Sequence, residues 1–369
     1  MFWLNSNRMR LVLVGVVTVI MLVGGRAKAD FTFGEPVNLG PTVNSSSGDS
    51  NPSISADGLS LYFGSSRPGT SGNSDIWVAT RSALNAPWGK PVNLGSPVNS
   101  GAIEIEPDIS ADGLELYFEA WGGRLGNVNN NADVWVAKRA TITDFWESPV
   151  NLVPLVSTTY PDGEPTISFD DLELYFVTGS FGGDSDLFVS TRATSSDDWG
   201  IPVQLSQVNP PGLEWSPSIS PDGRVLLFGV SPEGSQSQSS TDIWMTIRDT
   251  VSRDWNPPIK LESPINSTSR ECPGDISADG RTLYFDSQRA GGVGGTDIWQ
   301  APIIPIVDFN SNGIVDSADM CIMVDHWGTD NSLCDIGPMP WGDGVVDVQD
   351  LIVLAEHLFE EFPTVESVR

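Results

Sequence analysis

The sequence predicts an all-β protein: a five-bladed β-propeller closed by its own N-terminal strand, with a small α-helical domain behind it. Three observations predict it. A core written ISADGLSLYF at Ile54–Phe63 returns in variant form from Ile109, Ile167, Ile219 and Ile276, a period in the fifties. Each copy is followed by a second signature, SDIWVATR at its first occurrence. A third element, PVNL and its variants, follows Trp88, Trp146, Trp199 and Trp255, but its first copy precedes the whole series, at Phe33–Leu39. Self-similarity at this period belongs to propeller blades rather than helical solenoids.

The elements follow in chain order. Arg8 and Arg10 precede an apolar run, Leu11–Val23, that is short for a membrane span, and Ala27 and Ala29 stand at A-x-A spacing. Met1 to Ala29 is therefore expected to be a cleaved signal peptide, which implies a secreted protein, extracellular or periplasmic. No later stretch is apolar enough to span a membrane. The chain has 369 residues, with 48 acids against 19 Lys and Arg, a formal net charge of −29. Such a surface repels phosphate backbones and excludes nucleic acid as a partner.

Residues 30–303 form the propeller. Each unit reads as four short strands. The SIS segment is the first, and A-D-G is a tight turn in which glycine takes the positive φ. LSLYF alternates as a second strand, and DIWVA is the third. PVNL is the fourth, its proline suited to an outer edge where no ladder donor is missed. The fifth unit lacks a fourth strand and the chain begins with a spare one. Val37–Leu39 is therefore expected to complete the last blade and leave no long edge exposed.

With these residues in view, the P-x-I-S-x-D-G-x-x-L-Y-F pattern resembles the TolB-type, WD-repeat-like propellers over about three quarters of the chain. The resemblance implies the fold. It leaves function open, because that fold hosts binding, scaffolding and enzymatic roles.

At the entrance to each first strand the repeats carry Asp49, Glu104, Asp162, Glu214 and Glu271. Innermost strands line the central channel, so these five acids either ring one mouth of it as a cation or polar-ligand site, or accept hydrogen bonds at blade junctions. The same rim is expected to hold Arg67, Arg289, Trp121 and Trp215, which break the repeat. The two tryptophans either stack on sugar rings or pack local loops. Trp77, Trp135, Trp244 and Trp299 keep one blade position and read as core. The only histidines, His326 and His357, lie outside the propeller. That removes His-based nucleophilic and His-ligated metal chemistry from it. A carboxylate pair, as in glycoside hydrolysis, stays open.

The pattern changes at residues 304–369. DFNSNGIVDSAD places oxygen donors at loop positions one, three, five, nine and twelve: Asp308, Asn310, Asn312, Asp316 and Asp319. Gly313 stands sixth and the Ile314 carbonyl seventh, the oxygen set a hard cation such as Ca2+ takes. A degenerate second copy offers Asp343, Asp347 and Asp350. Met339 falls at its first position, and Asp335 is expected to replace it across an insertion. A helix follows each loop. Two loop-helix units with Asp at position twelve resemble a dockerin module. That resemblance implies calcium-dependent folding and a cohesin-like protein partner. Cys321 and Cys334 are close enough in sequence for a disulfide, leaving Cys272 as a buried thiol.

Three functions remain open: a secreted, non-catalytic binding or scaffold protein presenting a glycan- or protein-binding face; a carbohydrate-active enzyme hydrolysing O-glycosyl bonds with propeller carboxylates; and a structural adhesion module.

Overall fold

The structure is a computed structural model. It describes residues 31–122, 124, 132–152, 161–179, 185–233, 240–248, 250–252, 254–310, 312, 314–329, 331, 334–337, 342 and 345–360. The segment expected to be a signal peptide lies outside the described residues.

Two short strands, β1 (Phe31–Phe33) and β2 (Val37–Asn38), and one helical turn, α1 (Gly40–Val43), open the chain. Blade 1 is β3 (Asp49–Ile54), β4 (Ser60–Ser65), β5 (Asp75–Thr80) and β6 (Val92–Asn93). Blade 2 is β7 (Ile103–Ile109), β8 (Glu115–Trp121), β9 (Ala132–Lys138) and β10 (Val150–Asn151). Blade 3 is β11 (Asp162–Ile167), β12 (Glu173–Gly179), β13 (Ser185–Thr191) and β14 (Val203–Gln204). Blade 4 is β15 (Gly212–Ile219), β16 (Val225–Pro232), β17 (Asp242–Ile247) and β18 (Ile259–Lys260). Blade 5 is β19 (Glu271–Ile276), β20 (Thr282–Ser287) and β21 (Asp297–Pro305), with β2 as its outer strand. All pairings within the blades are antiparallel.

The repeated residues are the fasteners of each blade. In the A-D-G turn Ser55 Oγ donates to Asp57 Oδ1 at 2.6 Å, and the same oxygen accepts from Leu59 N at 2.9 Å. Gly58 sits at φ +68°, where a Cβ is disfavoured. In blades 1 to 4 the arginine after the third strand bolts this turn to the next tryptophan. Arg81 Nε donates to the Gly58 carbonyl at 2.7 Å while its guanidinium lies 4.3 Å from the Trp88 ring centre. Arg139 on Trp146, Arg192 on Trp199 and Arg248 on Trp255 repeat the stack at 4.2 to 4.5 Å. The third strand is also tied outward: Asn93 Nδ2 donates to Asp75 Oδ2 at 2.7 Å, and Asn151 to Asp133 at 3.0 Å. Between blades, leucines, valines and the LYF aromatics fill the core, with Phe63, Phe118, Phe176, Phe228 and Phe285 fully buried.

Ring closure reuses these fasteners across the chain ends. Val37 pairs with Gln300 and Asn38 with Trp299, as the spare fourth strand predicts. Asn38 Nδ2 donates to Asp297 Oδ2 at 3.3 Å, the counterpart of Asn93 with Asp75. Asn44 brackets Ile298 by accepting from its N–H at 2.9 Å and donating to its carbonyl at 3.0 Å. Asn99 does the same to Ile76 within blade 1, at 2.9 Å for both bonds. β1 adds a further strand that the sequence gives no sign of, with Phe31–Phe33 paired to Ile303–Pro305.

Behind the ring lie α2 (Ser317–Asp325) and α3 (Val348–Glu356), over a core that includes Val315, Met323, Cys334, Val346 and Leu354. The segment is internally two-fold in pattern. Val315 exchanges backbone bonds with Phe359 and Glu360, and Val346 with Gly328 and Thr329. Asp316 and Asp347 cap the two helices, answered by Asp319 and Asp350 in reciprocal capping boxes. His326 and His357 are the C-caps. The expected disulfide is not made: Cys321 is exposed on α2, whereas Cys334 points into the core.

Removing the Asn44 side chain strands two buried backbone groups of Ile298 at the closure. Asn44→Ala is expected to cost about 2 kcal/mol. Chemical denaturation of Asn44→Ala beside Asn99→Ala checks this; closure predicts that the two losses are similar.

Candidate functional site

Every innermost strand carries a bulge before the I-S segment, where the register slips by a residue. In four blades the residue preceding proline there takes positive φ: Asn51 at 53°, Glu106 at 54°, Glu164 at 56° and Ser216 at 45°. A bulge re-aims a side chain, and these four meet across the axis. Asn51 Nδ2 donates to Ser216 Oγ at 3.2 Å, and Ser216 Oγ lies 3.5 Å from Glu106 Oε2. The Ser216 backbone N–H donates to Glu164 Oε2. Blade 5 puts Pro273-Gly274 at this level, where a Cβ on Gly274 would overlap Pro52.

Three of these four, Asn51, Glu106 and Glu164, line the floor of a cavity of about 740 Å3, and Ser216 borders a small space beneath it. Trp121 and Trp215 stand in its lining, with Glu119 and Arg270. Trp121 Nε1 donates to Glu119 Oε1, and Trp215 Nε1 donates to Ser231 Oγ at 3.0 Å. Glu119 Oε2 accepts from the Glu164 N–H at 3.0 Å. A Cβ on Gly163 would overlap the Glu119 carboxylate, so any other residue there would displace that carboxylate from its present position. Arg270 is paired with Asp286, which also accepts from Asn51 N at 3.1 Å. Below the floor lie two small spaces, about 20 and 40 Å3. Beside the larger of these, Ser53 Oγ lies 2.9 Å from Asp108 and 3.3 Å from Asp275.

The electrostatics of this floor are unusual. Burial, then the neighbouring carboxylates Glu164 and Glu119, hold Glu106 well above the ordinary range. Burial, then Glu164, pushes Glu119 up to about 8, against the donors Trp121 and Glu164 N. Burial also pushes Glu164 up to about 7, with Ser216 and Arg270 opposing it. Asp108 is raised to about 6 by burial, and Asp275 well above its usual range by burial and by Asp108.

The acids singled out from the repeat stand elsewhere. Asp49, Glu104, Asp162, Glu214 and Glu271 are all buried, and none lines the cavity. Asp49 accepts from Ser45 and from Arg67. Glu104 accepts from Ser100 N and Arg124, at 3.0 and 2.8 Å. Glu271 accepts from Ser267, Ser287 and Arg289. Nor do Arg67 and Arg289 break the repeat. They and Arg124 do one job in three blades, each sealing its acid and stacking on a core pair such as Phe63 and Trp77. Only Trp121 and Trp215 of the expected ligand residues reach the cavity. Glu106, Glu119 and Glu164 do not stand out in the sequence, because none of them is part of the repeated pattern. Two residues beyond each retained acid the identity varies as Asn, Glu, Glu, Ser and Pro, and that variation was the available signal.

In the terminal segment Asp308 Oδ1 accepts from Asn312 N at 3.1 Å, and Asn312 Oδ1 from Ile314 N at 2.8 Å. Asp319 is fully buried and accepts from Asn310 N and Asp316 N at 3.2 and 3.0 Å, which folds positions one to twelve into one loop. Asp350 accepts from Ile336 N and Gly337 N, which brings Asp335 beside Gly342. Gly313 and Asp343 lie outside the described residues. The donors are hard oxygens suited to Ca2+. Among the described residues no three acids, cysteines or histidines stand together as a metal cluster.

With this geometry in hand, known proteins can be compared. No family model matches the chain, and no curated protein does. A thermostable family-43 glycoside hydrolase matches at a TM-score of 0.50 and 15% identity, covering 71% of this chain and 90% of that one. The α-L-arabinofuranosidase of Podospora anserina, solved with cellotriose, matches at 0.45 and 14%, covering 73% and 97%. TolB from Acinetobacter baumannii matches at 0.39 and 18%, over 60% of this chain and 44% of that one. The chain is a five-bladed propeller with glycoside hydrolase and TolB propellers as neighbours in fold. Among the described residues no helix is long and apolar enough to cross a membrane.

The raised acids set a direction for stability. Each holds its proton in the folded chain at a pH where the unfolded chain, with carboxyl pKa values near about 4, has lost it. The folded state then binds more protons, so stability falls as pH rises from about 4.5 through about 8. The melting temperature is expected to decline over that interval, with a shallower slope in Glu106→Gln. Scanning calorimetry across pH checks both.

Proposed function

We propose that the axial cavity takes a saccharide and hydrolyses its O-glycosyl bond. The observation that carries the reading is two buried carboxyls, Glu119 and Glu164, lining a cavity with two tryptophans in its wall, with the Glu164 backbone N–H donating to Glu119. Tryptophan faces suit the apolar faces of sugar rings. Carboxyls whose environments separate their proton affinities suit acid–base division of labour. Glu119, raised to about 8, keeps its proton at neutral pH and gives it to the glycosidic oxygen. Glu164, raised to about 7, is the more readily ionised and takes a proton from water. The water oxygen bonds to the anomeric carbon as the bond to the leaving group breaks. Glu106 holds a negative charge away from the pair by staying protonated.

A non-catalytic glycan- or protein-binding face is the second reading. It is favoured by the bonding of Glu119, whose two oxygens already accept from Trp121 and from Glu164 N. Reducing-sugar release from a panel of plant and bacterial polysaccharides separates the two. Hydrolysis predicts activity that peaks between about pH 7 and 8 and falls at least about a hundredfold in both Glu119→Gln and Glu164→Gln. Binding without release by the wild type would leave the non-catalytic face.

The terminal segment, in this reading, is a calcium-dependent tether of a secreted protein to a cohesin-like partner. Asp308, Asn310, Asn312, the Ile314 carbonyl, Asp316 and Asp319 hold one ion, and Asp335, Asp343, Asp347 and Asp350 serve a second. Calcium there neutralises clustered carboxylates and orders the loops. Saturating calcium is expected to stabilise the segment by about 3 kcal/mol at a hundredfold excess over Kd. Thermal unfolding of the full chain with calcium or EDTA measures this; an identical response in Asp308→Ala would rule out the first loop.

A further inference from the structure

The cavity is walled by acid as well as by tryptophan. Glu106, Glu119 and Glu164 face it, and Arg270 is the cation among its described lining residues. Arg270 is already committed to Asp286, both partners being buried, so it brings no net positive charge to the cavity. Arg67, Arg124 and Arg289 are sealed against Asp49, Glu104 and Glu271. The whole chain carries −29.

Two parts of this lining ask for the same ligand chemistry. An ammonium is attracted to the face of a tryptophan within a few ångströms, and Trp121 and Trp215 both stand in the wall. It also forms charge-assisted hydrogen bonds to carboxylates. A uronate or a sulfated sugar meets three acids and an arginine that is taken. Resting on the saccharide reading above, we infer that the cavity selects glycans bearing unsubstituted amino groups, such as deacetylated glucosamine oligomers, over N-acetylated, neutral and acidic ones.

The floor acids also set how that ligand binds. Empty of cation, Glu106, Glu119 and Glu164 crowd one another in a dry site, and that repulsion is relieved by keeping protons. An incoming ammonium supplies the missing counter-charge, so at least one carboxyl gives its proton to solvent on binding. The groups facing these acids are each other, Asp286, Arg270 and the buried thiol of Cys272, itself raised by burial. Of these, Glu119 and Glu164, raised to about 8 and about 7, are the ones able to release a proton near neutral pH.

Isothermal titration calorimetry of the full chain near neutral pH, in buffers of differing ionisation enthalpy, tests this. The probes are a glucosamine hexasaccharide, its N-acetylated counterpart, a cello-oligosaccharide and an oligogalacturonide. The amino hexasaccharide is expected to bind about tenfold tighter than its N-acetylated counterpart, the margin of one charge-assisted hydrogen bond. Its binding should release about one proton, and the preference should shrink with added salt. Glu164→Gln should reduce the preference and the proton release together. Should that variant fail to fold, the salt and buffer series on the wild type decides alone. Equal binding of the two hexasaccharides, or tighter binding of the galacturonide, overturns the amino-sugar inference while a saccharide site stands. No binding by any probe overturns the saccharide site and the inference with it.

Discussion

Closure of the ring is the constraint on which the remainder rests. Five twisted sheets have an axis only if the last meets the first, and the chain arranges this with fasteners it already uses within blades. Asn44 grips Ile298 as Asn99 grips Ile76, and Asn38 reaches Asp297 as Asn93 reaches Asp75. Closure is thus made of the same contacts that hold the outer strand within the other blades. β1 then extends the same seam along Ile303–Pro305, just before the chain leaves the propeller.

Closure brings five innermost strands to one line, and there the blades stop being equivalent. A proline follows the bulge in blades 1 to 4 and fixes the backbone. The residue before it is left to vary, as Asn, Glu, Glu or Ser. Away from the axis the blades agree in the serine–aspartate turn and the buried phenylalanine, and blades 1 to 4 share the arginine on tryptophan. Conformity is therefore a property of the frame, and divergence a property of the cavity. The acids at the start of each first strand show the first half of that rule. Their regularity drew attention to them, yet regularity is what a blade-junction acceptor needs.

Much of the fold was legible because the period is strong and the element count leaves one strand over. The site was harder to read for physical reasons. Arg67 and Arg289 follow Ser65 and Ser287 by two residues, but Arg124 follows its strand at a different offset, so their shared role is hidden until the guanidinium positions are seen. Glu119 occupies a place held by Gly64, Val177, Gly229 and Asp286 in the other blades, and nothing in a single strand says that this place borders the cavity. Cys321 and Cys334 are near in sequence, but a helix directs one outward while the core takes the other.

The floor of the cavity offers its own control on what the fold requires. Blade 1 fills the pre-proline position with Asn51 and blade 4 with Ser216, and these two bond to each other across the axis without any charge. Blade 5 dispenses with a polar side chain there altogether. The architecture is therefore satisfied by neutral residues at the same backbone conformation, in the same ring. Glu106 and Glu164 add buried, mutually repelling carboxyls to a place that needs none, and Glu119 adds a third from the neighbouring strand. These carboxyls accept bonds from Ser216 and from the Glu164 backbone, but neutral residues fill the equivalent places elsewhere in the ring, and a buried charge beyond what the frame needs marks a functional site. The visitor that gains most from three crowded carboxyls is one that brings them a positive charge.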